Sequence, residues 1–230
     1  MMFFRLPILI VTTVVVASET PLRIMPLGAS VTYGVGSSTG NSYRKDLRDM
    51  LAQDGHQVDF VGRRKNGNFS DNRVEATSGF VIAQIAAAAR EATPIFLPNI
   101  VLVDAGTNNC NGGGTVPDAG KNVTAMITDI LASSPGCTVV LATLLENKMA
   151  EQDACRTDVN RQYRDLVAAF EREKAKVVLV DMRSEQGPTT QDLYDTRHPN
   201  DVGYRKMAVV WKQGIDEALR RGLVSRPIEV

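Results

Sequence analysis

The chain has 230 residues, of which 43% are apolar, and 26 lysine and arginine residues balance 26 aspartate and glutamate residues. This balance gives no reason to expect nucleic acid or an anionic membrane surface as a partner. The apolar fraction is sufficient for one substantial core. The length therefore predicts one domain, preceded by a leader.

The first 18 residues have the pattern of a secretory signal peptide. Arg5 supplies a positive charge, residues 6–16 form an apolar stretch, and small residues precede a cleavage position near Ala17 or Ser18. The apolar stretch is too short to span a bilayer. We therefore expect residues 1–18 to be removed, and the remaining domain to be soluble, secreted and without a membrane anchor.

Three cysteines and two glycosylation sequons fit an oxidising, extracellular compartment. Cys137 opens an apolar run and is interpreted as a buried thiol. Cys110 and Cys155 both fall in predicted loops that follow strands, so we expect them to form the disulfide. The sequons make Asn68 and Asn122 candidates for glycosylation.

Five apolar runs of strand length alternate with helical patterns. The runs cover residues 22–27, 57–61, 99–104, 137–144 and 176–181, and the later ones consist almost entirely of apolar residues, as strands buried on both faces do. Helical spacing occurs at residues 43–53, 82–91, 117–132, 156–174 and 201–221. This alternation predicts a three-layer α/β/α sandwich with a five-stranded parallel sheet.

The loops that leave the predicted strands are long and rich in Gly, Asn and Ser, whereas the loops that enter them are short turns. Ligands in such folds bind at the carboxyl ends of the strands. The chain has two histidines. His198 falls at the carboxyl edge, whereas His56 lies in the turn that enters the second strand. His198 is therefore the candidate for histidine-dependent chemistry.

Ser30 follows the first strand, and Asp195 comes three residues before His198. A serine hydroxyl needs a neighbouring base to become a nucleophile. His198 can accept its proton, and Asp195 can accept the other ring N–H and stabilise the imidazolium. Taken singly, Ser30 and Asp195 are equally typical of helix caps. Asp104 and Asp181 also end strands and are alternative acids.

Two further motifs fall at the same edge of the sheet. Asn108, in Gly106-Thr107-Asn108-Asn109, offers a side-chain N–H donor after the third strand. Gly79 ends the second long loop and lets the backbone approach a ligand without a Cβ atom. Each motif alone is typical of an ordinary turn. Their coincidence with Ser30 and His198 at one edge is what indicates a site.

Together these segments resemble the four conserved blocks of the SGNH (GDSL-type) hydrolases. Residues 24–34 resemble the first block, Gly79 the second, residues 106–108 the third and residues 195–200 the last. The resemblance extends over nearly all of the chain that follows the leader. It implies a flavodoxin-like sandwich and ester hydrolysis through an acyl-enzyme.

The resemblance also implies a role for each residue of the site. Ser30 would be the nucleophile, His198 the base and Asp195 the acid that orients it. The backbone N–H groups of Ser30 and Gly79, with the side chain of Asn108, would form the oxyanion hole. Removing one such donor typically raises the barrier by about 3 kcal/mol.

The chain departs from the family pattern at two positions. Ala29 and Asn109 stand where aspartate is usual in the first and third blocks. Neither change removes a group that the mechanism needs, although the site becomes less acidic. Arg197 also places a positive charge next to the histidine.

Within the family, the first block and the leader are most similar to the secreted carbohydrate esterases, which include acetylxylan esterases. We therefore expect removal of acetyl or similarly small acyl groups from a polysaccharide. The alternatives are a lipid or broad small-ester hydrolase of the same family and a non-catalytic carbohydrate-binding protein on the same scaffold. We expect a monomer that needs no cofactor. We also expect no metal ion, because no His/Cys/Asp cluster has metal-ligand spacing.

Overall fold

The computed structural model describes residues 20–228, so the predicted signal peptide lies outside the described residues. Within that range one sheet is flanked by helices on both faces. Its strands are β1 (Leu22–Gly28), β2 (Val58–Phe60), β3 (Arg64–Lys65), β4 (Arg73–Ala76), β5 (Ile100–Asp104), β6 (Thr138–Ala142) and β7 (Val177–Val180). The helices are α1 (Ser30–Tyr33), α2 (Arg44–Gln53), α3 (Ile82–Phe96), α4 (Ala119–Ser133), α5 (Ala150–Arg172) and α6 (Asp201–Arg220).

The strands follow the order β3-β4-β1-β5-β6-β7, and β2 pairs with the amino-terminal half of β1. Every pairing is parallel except that of β3 with β4. At its carboxyl end, Gly28 of β1 lies between Ala76 of β4 and Asp104 of β5. The loops that follow these three strands therefore start side by side.

Alternate residues of the strands enter two separate cores. Leu22 and Ile24 of β1 pack on the side covered by α2 and α6, where Trp211 is fully buried. Met25 and Leu27 pack on the opposite side, which α3, α4 and α5 cover. Because successive side chains of a strand point to opposite faces, a run that is apolar throughout feeds both cores. The predicted three-layer sandwich is confirmed.

The sheet has seven strands rather than five. The two additional strands form the β3–β4 hairpin within residues 62–79, which the sequence predicts to be a loop. Both strands are short and carry charged side chains, so they lack an apolar run that would reveal them. The hairpin is stabilised by tertiary contacts, since the buried carboxylate of Glu75 binds the Arg63 guanidinium at 2.8 Å.

Two helices are longer than expected. Helix α3 continues to Phe96, beyond the predicted end at residue 91, and α5 begins at Ala150 rather than at residue 156. The earlier start of α5 places Cys155 in a helix, whereas the sequence predicts a loop. The residue before α5 is Met149, whose side chain cannot cap a helix. The sequence therefore has no capping residue that would indicate the start of α5.

The structure contains the predicted disulfide between Cys110 and Cys155. It joins the turn of 3-10 helix at Thr107–Cys110 to α5. Cys137 is a buried free thiol, as expected, and burial raises its pKa to about 12. No helix between residues 20 and 228 has the length and apolar character needed to cross a membrane.

Candidate active site

Ser30, His198 and Asp195 form a continuous chain of hydrogen bonds. Ser30 Oγ lies 2.9 Å from Nε2 of His198, although the residues are 168 positions apart. The other ring nitrogen, Nδ1, lies 2.6 Å from Oδ2 of Asp195. Ser30 is only 3% exposed. The structure thus brings together the serine, the histidine and the acid in the order that proton transfer from the hydroxyl requires.

The histidine lies in a loop that its own backbone closes. Leu193 and Pro199 form an isolated antiparallel bridge, and the Tyr194 N–H donates to the His198 carbonyl at 2.8 Å. Helix α6 starts immediately afterwards, and the side chain of Asn200 caps it by accepting the Gly203 N–H at 3.0 Å. The cap is therefore Asn200, which excludes the alternative that Asp195 caps this helix.

Asp195 organises the same loop through its second oxygen. Oδ1 accepts the backbone N–H groups of Arg197 and His198, both at 2.8 Å. Partial burial acts to raise the pKa of this carboxyl, but the hydrogen bonds from the His198 ring and from both backbone N–H groups outweigh it and lower the pKa to about 2. Asp195 is therefore a fixed negative charge beside the imidazole at neutral pH.

The two alternative acids accept hydrogen bonds from side chains other than His198. Asp181 accepts hydrogen bonds from Thr143 and Arg164, both at 2.8 Å. Asp104 lies buried at the end of β5 and accepts a hydrogen bond from Thr32 Oγ1 at 3.2 Å. Burial is the main cause that raises the pKa of Asp104 to about 6, against the lowering effects of the Thr32 hydrogen bond and the Arg156 charge.

The hydrogen bond between Thr32 and Asp104 joins the turn that carries the serine to the end of β5. Thr32 belongs to α1, the single turn that Ser30 begins, and its hydroxyl also contacts Tyr43 Oη at 3.3 Å. A Cβ atom on Gly28 would come within 2.4 Å of Thr32 Oγ1 and 2.8 Å of the Asp104 carbonyl oxygen. The close approach of β1, α1 and β5 therefore requires glycine at residue 28.

The buried Arg44 binds the carboxyl end of α1 and the loops next to it. The Arg44 guanidinium donates to the carbonyls of Gly40 at 3.0 Å, Asn66 at 2.8 Å and Asn72 at 3.0 Å, and more weakly to Tyr33 at 3.4 Å. Burial is the main cause that lowers the pKa of Arg44 to about 10, so it remains a cation at neutral pH. One side chain thus ties the loops after β1 and β3 together.

Two of the three residues expected to form the oxyanion hole, Gly79 and Asn108, lie in the loops after β4 and β5, whereas Ser30 follows β1. Gly79 has a φ of +87°, a conformation that favours glycine. Asn108 Nδ2 donates one N–H to the Phe80 carbonyl at 2.9 Å. Because the amide carries two N–H groups, this bond holds Asn108 beside the Gly79 loop and leaves a second donor on the same nitrogen.

Sequence reasoning missed the residue that orients Asn108. Asn111 Nδ2 donates to Asn108 Oδ1 at 3.0 Å, which distinguishes the oxygen from the nitrogen of that amide. Asn111 Oδ1 in turn accepts a hydrogen bond from Arg197 Nη1 at 2.5 Å. The positive charge next to His198 therefore links the histidine loop to the Asn108 turn. The sequence motif at residues 106–109 ends two residues before Asn111, so the motif did not indicate a role for Asn111.

His56 lies in the turn between α2 and β2, at the edge of the sheet opposite His198. Its backbone N–H donates to the Leu51 carbonyl at 3.1 Å. Among the described side chains there is no group of three or more His, Cys, Asp or Glu residues that could hold a metal ion.

Comparison with protein families matches residues 27–206 to the GDSL-like lipase/acylhydrolase family. The chain belongs to this family of SGNH-type hydrolases. As a GDSL-like acylhydrolase it is a carboxylic ester hydrolase. The matched residues include Ser30, Gly79, Asn108, Asp195 and His198.

Among the proteins similar to this chain are two carbohydrate esterases and one multidomain esterase. A family 3 carbohydrate esterase of Clostridium thermocellum is 26% identical, with a TM-score of 0.75 over 89% of this chain and 100% of that one. A family 3 carbohydrate esterase of Talaromyces cellulolyticus is 23% identical and shares the fold, with a TM-score of 0.74 over 87% and 99% of the two chains. A multidomain esterase of Ruminococcus flavefaciens is 26% identical over 227 residues, covering 86% of this acylhydrolase but 29% of its own length.

One departure of this acylhydrolase from the family pattern has a structural counterpart. Asn109 Oδ1 accepts the Ile82 N–H at 3.0 Å, so the amide holds the first turn of α3, as an aspartate carboxylate also does at helix starts. Ala29 is buried at 7% exposure and packs in the core under α3 to α5. Nothing in the structure explains the preference for alanine over aspartate there.

Proposed function

We propose that this acylhydrolase is a secreted serine esterase that removes acetyl or similarly small acyl groups from a polysaccharide such as acetylated xylan. The observation that carries the proposal is the 2.9 Å contact of Ser30 Oγ with a histidine ring that Asp195 holds at 2.6 Å. The carbohydrate esterases among its structural relatives support the substrate class.

In the proposed reaction, Ser30 Oγ attacks the ester carbonyl carbon while His198 Nε2 accepts the hydroxyl proton. The negative charge that forms on the carbonyl oxygen is bound by the backbone N–H groups of Ser30 and Gly79 and by Asn108. His198 then donates the proton to the leaving sugar oxygen, and an acyl-Ser30 ester remains. Water, deprotonated by His198, hydrolyses this ester and releases acetate.

Secretion is part of the proposal. It is supported by the pattern of residues 1–18 and by the Cys110–Cys155 disulfide, since such bonds persist in oxidising compartments. Asn68 and Asn122 are both exposed, which is a requirement for the proposed glycosylation.

The test compares the wild type with Ser30→Ala on acetylated xylan, a short-chain aryl ester and a long-chain ester. We expect the wild type to release acetate from xylan, to cleave the aryl ester and to leave the long-chain ester nearly untouched. Ser30→Ala should lose at least about 10³-fold in rate on every substrate, as loss of a catalytic serine does. Equal rates for the two proteins would refute the serine mechanism, and faster cleavage of the long-chain ester would favour a lipid hydrolase.

A further inference from the structure

A groove of about 560 Å³ lies between the β3–β4 hairpin and helix α3. We call it the α3 groove. Its volume is within the range of about 300–1,000 Å³ that is usual for ligand pockets. Its walls come from the hairpin, from the loop after β4 and from the exposed side of α3, with Arg64, Thr77, Phe80, Gln84 and Glu91 among them.

One end of the α3 groove is the loop that carries Gly79. Thr77 and Phe80, which flank this glycine, both line the groove. The Thr77 N–H contacts the Gly28 carbonyl at 3.4 Å, and the Phe80 carbonyl accepts the Asn108 amide at 2.9 Å. The groove therefore adjoins the loop that carries Gly79 and extends from there along α3.

The chemistry of the walls suits a sugar chain better than an acyl chain. An acetyl group is far smaller than the α3 groove, so the groove must serve the alcohol part of the ester if it serves catalysis. Phe80 is partly exposed and supplies an aromatic wall, while Thr77 and Gln84 supply hydrogen-bonding groups. A fatty-acyl chain would instead lie against charged side chains, which is unfavourable.

The charges of the groove leave one cation available. Arg63 is paired with the buried Glu75 at 2.8 Å and with Glu91 in a second, short contact. Arg64 is exposed, lines the groove and has no ion pair within residues 20–228. An arginine without a partner at the side of a ligand groove matches a carboxylate, which it can bind through two parallel hydrogen bonds.

We propose that the α3 groove binds the glycan next to the scissile ester and that Arg64 binds a carboxylate on it, so that the enzyme prefers acetylated glycans bearing uronic acids. This inference rests on the proposed function. The preference concerns the alcohol part of the substrate. It appears in KM, because Arg64 lines a groove whose lining residues include neither Ser30 nor His198, so it binds the glycan equally in the ground state and in the transition state.

The test uses two acetylated xylo-oligosaccharides of equal length, one with and one without a uronic acid branch. The proteins are the wild type, Arg64→Ala and Lys65→Ala, the last being a control that removes the neighbouring cation, which does not line the groove. We expect the wild type to favour the acidic oligosaccharide about 10-fold in kcat/KM, the effect of one charge-assisted hydrogen bond. Arg64→Ala should lose this preference through KM and keep its rate on an aryl acetate, whereas Lys65→Ala should retain the preference.

The outcomes separate the two proposals. Equal kcat/KM of the wild type on both oligosaccharides, or an equal loss in Arg64→Ala and Lys65→Ala, would overturn the role of Arg64 and leave the esterase proposal intact. Cleavage of the aryl acetate without acetate release from either oligosaccharide would overturn the polysaccharide substrate itself and the groove proposal with it.

Discussion

Asp195 and His198 are joined twice, because Oδ2 of the carboxylate lies 2.6 Å from the ring nitrogen Nδ1 and Oδ1 accepts the His198 backbone N–H at 2.8 Å. One carboxylate thus fixes both the ring and the backbone that carries it. The charge and the geometry of this contact are therefore separable by substitution, since asparagine keeps an oxygen for the backbone and loses the charge.

Asp195→Asn should lower kcat by about 10³-fold with little change in KM. The variant retains an acceptor for the backbone but does not stabilise the imidazolium that forms when Ser30 is deprotonated. Because the pKa of Asp195 is about 2, the wild-type carboxylate stays charged down to about pH 3, and loss of activity in weak acid comes from another group. Steady-state kinetics on an aryl acetate measures both effects.

The matched control is Asp201→Asn, in which a carboxylate close to the same loop is removed. This carboxylate accepts the Ser38 N–H at 3.0 Å and does not bind the histidine ring. It should leave kcat within about twofold of the wild type, since the hydrogen bond that it weakens joins exposed groups and involves no residue of the proposed triad. A comparable fall in kcat in the two variants would show that Asp195 acts through the general charge of the loop and not through His198.

Asn111→Asp should lower kcat by about 10-fold or more while Arg197 keeps its partner. The aspartate still accepts the Arg197 hydrogen bond but offers no N–H to Asn108 Oδ1, so the Asn108 amide loses the contact that defines its orientation. Losing an oxyanion donor altogether costs about 10²–10³-fold, which sets the upper limit. Kinetics at saturating substrate and a melting curve check this, and an unchanged kcat would exclude the positioning role.

The sequence predicts those parts of this fold that depend on local pattern. The five apolar runs become β1, β2, β5, β6 and β7. The rule that a strand buried on both faces is apolar throughout holds best for β5 and β6, in which every residue is buried. The rule that ligands bind at the carboxyl ends of the strands places Ser30 and His198 at one edge, where the structure finds them in hydrogen-bond contact.

The sequence does not predict side-chain contacts between residues that lie far apart along the chain. The β3–β4 hairpin is held by the pairing of Arg63 with Glu75, and Asn111 gains its role from Arg197, which is 86 residues away. Neither pair has a spacing that a periodic pattern can reveal. The same limit hides the Thr32–Asp104 hydrogen bond, since a carboxylate at a strand end is equally compatible with a catalytic role.

Removal of the disulfide by the double substitution Cys110→Ser/Cys155→Ser should lower the free energy of unfolding by about 4 kcal/mol. The bond closes a loop over a sequence separation of 45, and the loss of chain entropy in the unfolded state predicts that magnitude. Because Cys110 ends the turn that carries Asn108, kcat should also fall. Denaturant unfolding measures the first effect and aryl acetate hydrolysis the second.

The control for this experiment is Cys137→Ala, which removes the buried free thiol and leaves the disulfide in place. It should cost less than about 1.5 kcal/mol, since it deletes one small buried group. If the double variant and Cys137→Ala lost the same free energy of unfolding, the cross-link itself would add no stability beyond the packing of a small buried side chain.

Asp104→Asn should stabilise the protein at alkaline pH and have little effect in acid. Burial raises the pKa of Asp104 from 3.8 to about 6, so the folded state holds this proton more tightly than the unfolded state does. The stability of the wild type therefore falls as the pH rises from about 4 to about 6 and stays lower above that range, by about 3 kcal/mol for a difference of about 2 pKa units. Asparagine keeps an acceptor for Thr32 and has no charge to bury.

Denaturant unfolding of both proteins at pH 4 and pH 8 measures this difference, in which the other titrating groups cancel. Asp181→Asn is the control of opposite sign. Burial acts to raise the pKa of Asp181, but hydrogen bonds from Thr143 and Arg164 outweigh it and lower the pKa, so this carboxylate contributes stability above about pH 4 that is lost in acid. Asp181→Asn should thus be destabilised at pH 8, and a loss of stability at pH 8 in Asp104→Asn would contradict a charge that is costly to bury.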